Sequence, residues 1–238
     1  MTTWASPKKT KKLLIFGNAE IAELAKFYFD LDSVYQVVAF VVDDEFQTKN
    51  SFQGLNVIPW SSALKIYPPS DYYMHVALSY KGLNSLRESK FNQCLSAGYK
   101  MASYISSKAT VFPDLKHGAN CFILENQVIQ PRVTLKNNVM LWSGNHIGHG
   151  SIIKDHAYLA SHVVISGHVE IGMRCFIGVN ATVRDFVKVG DDTFIGMGAL
   201  VTRDLLEGSV VLPSRSEVIE ASDPKAHKLI DKTFGGAI

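Results

Sequence analysis

The sequence predicts a small parallel-sheet α/β domain over residues 1–103, a β-solenoid over 104–206 and a C-terminal tail over 207–238. Three observations predict this. An aliphatic residue returns every six positions from Ile105 to Val201. The first hundred residues alternate short apolar runs with helical spacings. Charged residues are 19% of the chain while hydrophobic residues are 47%, a balance that excludes disorder and surface-rich helical bundles. A length of 238 residues suits two domains.

In chain order, Leu13-Leu14-Ile15-Phe16 reads as a strand ending at Gly17. Ile21, Leu24, Ala25 and Tyr28 then recur with helical spacing. Val37 to Val42 is a continuous apolar run, as in a buried parallel strand, and it stops at Asp43-Asp44. Met74 to Leu78 is a further strand. A helix spans about Gly82 to Gly98, and Met101 to Ile105 leads into the repeat. Strand–helix–strand order argues a parallel sheet. Ligands of such sheets bind outside the carboxyl ends of the strands, where Gly17 to Ala19, Asp43, Asp44 and Ser79 fall. The carboxylates suit ribose or uracil groups; equally, Asp43-Asp44 simply ends a strand in a turn.

Stepping by six from Ile105 to Val201 gives 17 positions, of which 16 are Ile, Leu or Val; the exception is His117. A second column four residues later holds small or branched residues, among them Cys121, Val133, Ser151, Ala157, Cys175 and Ala199. Period six is neither helical nor simple strand alternation. It fits a triangular prism in which each hexapeptide is one face and three make a coil. At strand spacing the prism is roughly 27 Å tall. The larger column points inward and the smaller one fills the corners. Flat faces of this kind associate with one another.

The charges, 24 Lys+Arg against 22 Asp+Glu, leave a net +2. That does not advertise nucleic acid or an anionic membrane as partner. Three scattered cysteines, Cys94, Cys121 and Cys175, suggest neither disulfides nor a zinc knuckle. The longest stretch without Asp, Glu, Lys or Arg, Asn137 to Ile153, contains Asn, Ser, Gly and two His and is no membrane helix. The start has no signal-peptide form, so a reduced, cytoplasmic protein is expected. The Lys8–Lys12 run is expected to be a solvated, mobile terminus.

Five of the eight histidines lie between residues 146 and 168. Residues of adjoining coils stack 18 apart, and no histidine is 18 from another. His156, His162 and His168, six apart, occupy the same slot on three faces and cannot share a metal within one chain. Ser143-Gly144-Asn145-His146-Ile147-Gly148-His149-Gly150 is different. His149 should face outward near a corner, with Gly167 one coil above leaving room for a ligand. A neutral, open histidine is what a general base needs near pH 7. His146 is the weaker candidate, and a solvated or interface histidine is the plain alternative for both.

At LLIFGNAEIAELA, VVAFVVDD, WSGNHIGHGSI, IGVNATV and IGMGALVTRD the chain resembles the bacterial nucleotide-sugar acyltransferases. These join a Rossmann-like domain to a left-handed parallel β-helix. They include sialic acid O-acetyltransferases and N-acetyltransferases of nucleotide-linked 4-amino sugars, and the resemblance covers about residues 12 to 206. It implies the left hand of the coil, since β crossovers are otherwise right-handed. It implies His149 as catalytic base. It implies Gly17, Ala19, Glu20, Asp43, Asp44 and Ser79 at the nucleotide sugar, and Tyr158, Gly167, Val179 and Met197 along an acetyl-CoA groove. It implies a homotrimer with sites between adjacent prisms, acting in surface-glycan (lipopolysaccharide) biosynthesis, with no metal, nucleic acid or membrane insertion. In some relatives an acidic residue follows the base; here it is Gly150, leaving Asn145 or a backbone carbonyl to orient His149. Val211-Leu212-Pro213-Ser214-Arg215 departs from the family's usual coenzyme A segment.

The expected reaction is acetyl transfer from acetyl-CoA to an amino group on a UDP- or dTDP-linked amino-deoxysugar. O-acetylation is the alternative within the family. A β-helical zinc hydrolyase and a noncatalytic trimeric scaffold are the alternatives outside it.

Overall fold

The structure, a computed structural model, describes residue 4 and residues 7–235. The α/β part comprises β1 (Lys11–Phe16), α1 (Glu20–Asp32), β2 (Tyr35–Val42), β3 (Ser51–Phe52), β4 (Leu55–Pro59), α2 (Trp60–Ile66), β5 (Tyr73–Val76), α3 (Ser85–Ser96) and β6 (Lys100–Met101). The sheet order is β3-β4-β2-β1-β5-β6, parallel except for the β3–β4 hairpin. Both sheet faces are covered. Leu13, Ile15 and Phe40 pack toward α1, while Leu14, Ala39, Val41 and Met74 pack toward Ala63 of α2 and Cys94 of α3. Burial on both sides is why these strands read as continuous apolar runs.

The buried line of α1 is Ala22, Ala25 and Phe29, one position on from the expected stripe. Ile21 and Tyr28 lie on its flank because α1 is wedged between its own sheet and the solenoid. Tyr28 packs on Phe122, and its hydroxyl donates to Glu125 Oε2 at 2.7 Å. The β3–β4 hairpin and α2 escape the sequence reading. The hairpin turn, Gln53-Gly54, has φ of 48° and 75°, a conformation normally announced by Asn-Gly or Asp-Gly. The lysine run is not a mobile terminus. Lys9 Nζ donates to the carbonyls of Phe29 and Ser33 at the end of α1 (2.8 and 2.7 Å), where a cation offsets the helix dipole. Lys11 and Lys12 begin β1.

From Tyr104 the chain is a left-handed parallel β-helix. Its two-residue strands form three sheets of seven, six and five strands, and each strand pairs in parallel with the one 18 residues on, as in Phe122↔Met140 and His146↔Val164. The inward column is fully buried from Ile123 to Ile195, and the smaller column is buried beside it. Every sixth residue from Asn120 to Gly198 has a left-handed φ, between 55° and 82°. These are the corners. They explain the six-residue spacing of His156, His162 and His168, because Asn, Asp and His tolerate that conformation better than most side chains. The solenoid continues past residue 206: Leu205 bridges Val189, and Val210–Val211 pairs with Phe194–Ile195 sixteen residues back rather than eighteen. The tail carries α4 (Pro224–Phe234), capped by the Asp223 carboxylate and with no buried residue.

The α/β domain sits on one face of the prism, through the outward residues Tyr104, Phe122, Met140 and Tyr158, all buried. Arg87 of α3 fastens it. The fully buried guanidinium donates to the Asn138 carbonyl, to Asn138 Oδ1 (3.0 Å), to the His156 carbonyl (2.7 Å) and to Asn84 Oδ1 (3.1 Å). Burial lowers its pKa to about 10, so it stays charged at neutral pH.

Candidate active site

Strand β1 lies between β2 and β5, so the chain winds outward in both directions from it. The switch point is at the carboxyl ends of β1 and β5. Gly17 turns there with φ +124°, and a Cβ on it would stand 2.9 Å from the Ala77 carbonyl oxygen. The turn leads into the N-terminus of α1, whose free N–H groups favour anionic ligands. A cleft of about 530 Å³ opens at this point, lined by Ala19, Glu20, Ser79, Tyr80, Trp142 and Tyr158 among others. Its far wall belongs to the solenoid: Tyr80 packs on Tyr158 and Phe176 at 5.3 and 4.9 Å between ring centroids.

The structure thus brings Gly17, Ala19, Glu20 and Ser79 together. Asp43 and Asp44 have other partners. Asp43 is ion-paired with Lys90 at 2.7 Å, both side chains largely buried. Asp44 Oδ1 accepts from the Ser61 N–H at 3.0 Å, at the start of α2, and its hydrogen bonds from Ser61 hold its carboxyl below the usual carboxylate range. Tyr80 and Trp142 are lining residues the sequence reading passed over. The signal for Trp142 was an aromatic within the uncharged segment.

His149 lies on another part of the prism, at the corner between the second face (Ile147) and the third (Ile153). Its side chain is exposed. The ring rests over Gly167, where a Cβ would come 2.9 Å from its Cε1 and Nε2. The His149 N–H donates to Gln130 Oε1 at 2.9 Å, a contact not legible in the sequence. The Gly148 and Gly150 N–H groups are engaged with the Ile165 and Pro131 carbonyls at 2.7 and 3.1 Å; among the described residues the Gly167 N–H makes no such bond.

Asn145 does not orient His149. It is buried, its Nδ2 donating to the Trp142 carbonyl (2.6 Å) and its Oδ1 accepting from the Val163 N–H (2.7 Å), so the amide is used in closing a corner. His146 points outward from the second face, between Val128 and Val164. The four groove residues do not converge within one chain. Gly167 is beside His149. Val179 and Met197 are exposed at the opposite edge of the second face. Tyr158 is under the α/β domain.

Residues 132–167 and 168–203 match the bacterial transferase hexapeptide family (six repeats). Both matches lie within the β-helix, which is therefore built of the repeat of that family, and the α/β domain precedes them. Over most of its length the chain shares its fold with two solved acetyltransferase structures. The acetyltransferase domain of PglB from Neisseria gonorrhoeae is 22% identical, with 86% of this chain and 100% of that one covered and a TM-score of 0.73. Perosamine N-acetyltransferase from Caulobacter crescentus, solved as a histidine-to-asparagine variant with CoA and GDP-perosamine, is 20% identical over 90% and 100%, with a TM-score of 0.75. Among curated proteins, a UDP-N-acetylglucosamine O-acyltransferase from Stutzerimonas stutzeri is 29% identical over 72 residues, 30% of this chain and 28% of the relative. The putative acetyltransferase YvoF of Bacillus subtilis is 28% identical over 102 residues, 43% and 59% of the two chains. The match thus spans under a third of the O-acyltransferase's length.

Proposed function

We propose that this chain transfers an acetyl group from acetyl-CoA to the amino group of a nucleotide-linked amino-deoxysugar, with His149 as general base. The observation that carries this is the His149 corner: an exposed imidazole lying on a glycine whose own N–H makes no hydrogen bond among the described residues. The amine nitrogen attacks the thioester carbonyl while His149 takes its proton. The tetrahedral oxyanion accepts from the Gly167 N–H. The C–S bond then breaks and coenzyme A leaves as the thiol, taking the proton back from His149. The α/β cleft holds the nucleotide against the start of α1, with the sugar along its aromatic wall. UDP- and dTDP-linked sugars are the first choices; the GDP-sugar bound by the Caulobacter crescentus relative adds a third.

His149 stands on the prism edge opposite the face that its own α/β domain covers. A complete site therefore joins His149 of one copy to the cleft of another, which a homotrimer provides. The second face suits the contact: its outward strand residues, Thr110, Val128, His146, Val164, Thr182 and Leu200, include no Asp, Glu, Lys or Arg.

His149→Ala and His149→Asn should retain the fold and lose transfer by about 10²-fold or more. Near-normal turnover in either would sink the assignment. Thermal-shift screening with UDP-, dTDP-, GDP- and CMP-sugars, with and without coenzyme A, identifies the acceptor, because a ligand of the native state raises Tm. An ester rather than an amide product would turn the reading to O-acetylation.

A further inference from the structure

The corner that carries His149 is built as a checkerboard. His149 lies over Gly167 of the coil above. His168, next in sequence to Gly167, lies over Gly150, next in sequence to His149: a Cβ on Gly150 would come 2.8 Å from the Cε1 and Nδ1 of His168. Each ring fills the space its glycine leaves, and the two meet edge to face, with centroids 4.9 Å apart and planes at 82°. This is a preferred aromatic arrangement. The His168 N–H also donates to the His149 carbonyl at 2.8 Å.

The stack goes one coil further. Phe186 lies parallel to His168, 5.2 Å away with planes 3° apart. It is 67% exposed and has φ +63°. A bulky residue is unusual in that conformation, and most other corners in this chain take Asn, Asp, Gly or His. Neither burial nor backbone preference accounts for a phenylalanine here. Backing the His168 ring does.

We propose that His168 is a positioning residue for His149, clamping its ring between an aromatic edge and the Gly167 backbone so that one nitrogen is held toward the acceptor. The proposal rests on the reading of His149 as the base. Other orienting groups are engaged elsewhere. Asn145 closes a corner. Among the described residues the histidine within 4.0 Å of a carboxylate is His156, beside Glu88, and not His149. Gly150 thereby gains a reason: a side chain in its place would displace His168.

His162 rests over Gly144 in the same way, and among the described residues no ring contact joins it to His149. It reports what emptying such a corner costs on its own. The test uses the full-length protein with 13C-labelled histidine. His168→Ala should shift and broaden the His149 ring signals in the unliganded protein and lower kcat by about tenfold or more, with both KM values within about twofold. His168→Phe, which keeps the aromatic contact, should restore the signals and bring kcat to within about threefold of wild type. His162→Ala should match His168→Ala in Tm and leave the His149 signals in place. Unmoved His149 signals in His168→Ala, unchanged kcat, or a His168→Phe variant as impaired as His168→Ala each overturn the proposal. An active His149→Ala would overturn the base assignment, while the ring signals would still decide whether His168 holds His149.

Discussion

Replacing Arg87 with methionine tests what holds the two domains together. Methionine keeps an unbranched apolar stem and removes the five donors. Of the acceptors named above, Asn138 Oδ1 keeps a donor in Asn120 Nδ2 (2.8 Å), and three are left without their Arg87 partner and with no substitute: the Asn138 carbonyl, the His156 carbonyl and Asn84 Oδ1. None of the three accepts any other hydrogen bond among the described residues. A buried acceptor left unmade costs about 1–3 kcal/mol. Relief of the buried guanidinium's desolvation returns part of this, so the low end of the range, about 3 kcal/mol in all, is the expectation. For a chain of this length about 1 kcal/mol moves Tm by about 2–4 °C, which places Arg87→Met about 6–12 °C below wild type. Scanning calorimetry reads this directly. A Tm within about 2 °C of wild type would refute the view that Arg87 clasps the domains.

Gly17→Ala forces an alanine into φ +124° with its Cβ 2.9 Å from the Ala77 carbonyl. Strain of this kind costs about 1–3 kcal/mol, so Tm should fall and the thermal shift given by a nucleotide sugar should shrink. His75 is buried, with Nδ1 2.9 Å from the Ala102 carbonyl and Nε2 unpartnered. Burial pushes its pKa down to about 4. Unfolded, it titrates near the ordinary value of about 6.5. Between those values the unfolded chain binds more protons, so stability falls as pH drops from about 6.5 to about 4, by up to about 3 kcal/mol. Denaturant titrations of His75→Phe over this range should give a flatter profile, and an identical profile would exclude His75 as its source.

Much of the fold was legible because the solenoid writes its geometry into the chain at short range. A six-residue period places one residue inward and one at each corner regardless of what packs outside. The strand ends of the α/β domain were legible for a similar reason, since buried parallel strands are apolar throughout. The β3–β4 hairpin was not, because its turn uses Gln53 where Asn or Asp would have announced it. A longer signal went unread. The outward residues of the first face, Tyr104, Phe122, Met140, Tyr158, Phe176 and Phe194, are apolar, mostly aromatic, and 18 apart. That column marks the face that the α/β domain covers.

Of the candidate site, His149 and Gly167 were readable as neighbours because stacking by 18 is a property of the repeat. Gly17, Ala19, Glu20 and Ser79 were readable as strand-end residues. The partners of polar side chains were not. Asp43 pairs with Lys90, 47 residues away, and Asn145 turns inward to close a corner. Nothing in the local pattern distinguishes these fates from ligand binding.

The sequence by itself determined the solenoid, its period, its inward columns and the corner on which His149 stands, because each follows from contacts at fixed offsets of 6 and 18. Only the tertiary structure decided that the His168 ring meets the His149 ring and Phe186 stacks on His168, that Arg87 clasps the α/β domain to one face, and that this face is the one opposite His149. Those depend on side-chain directions and on docking between segments about 50 to 90 residues apart, where many partners satisfy the same chemistry and packing selects one.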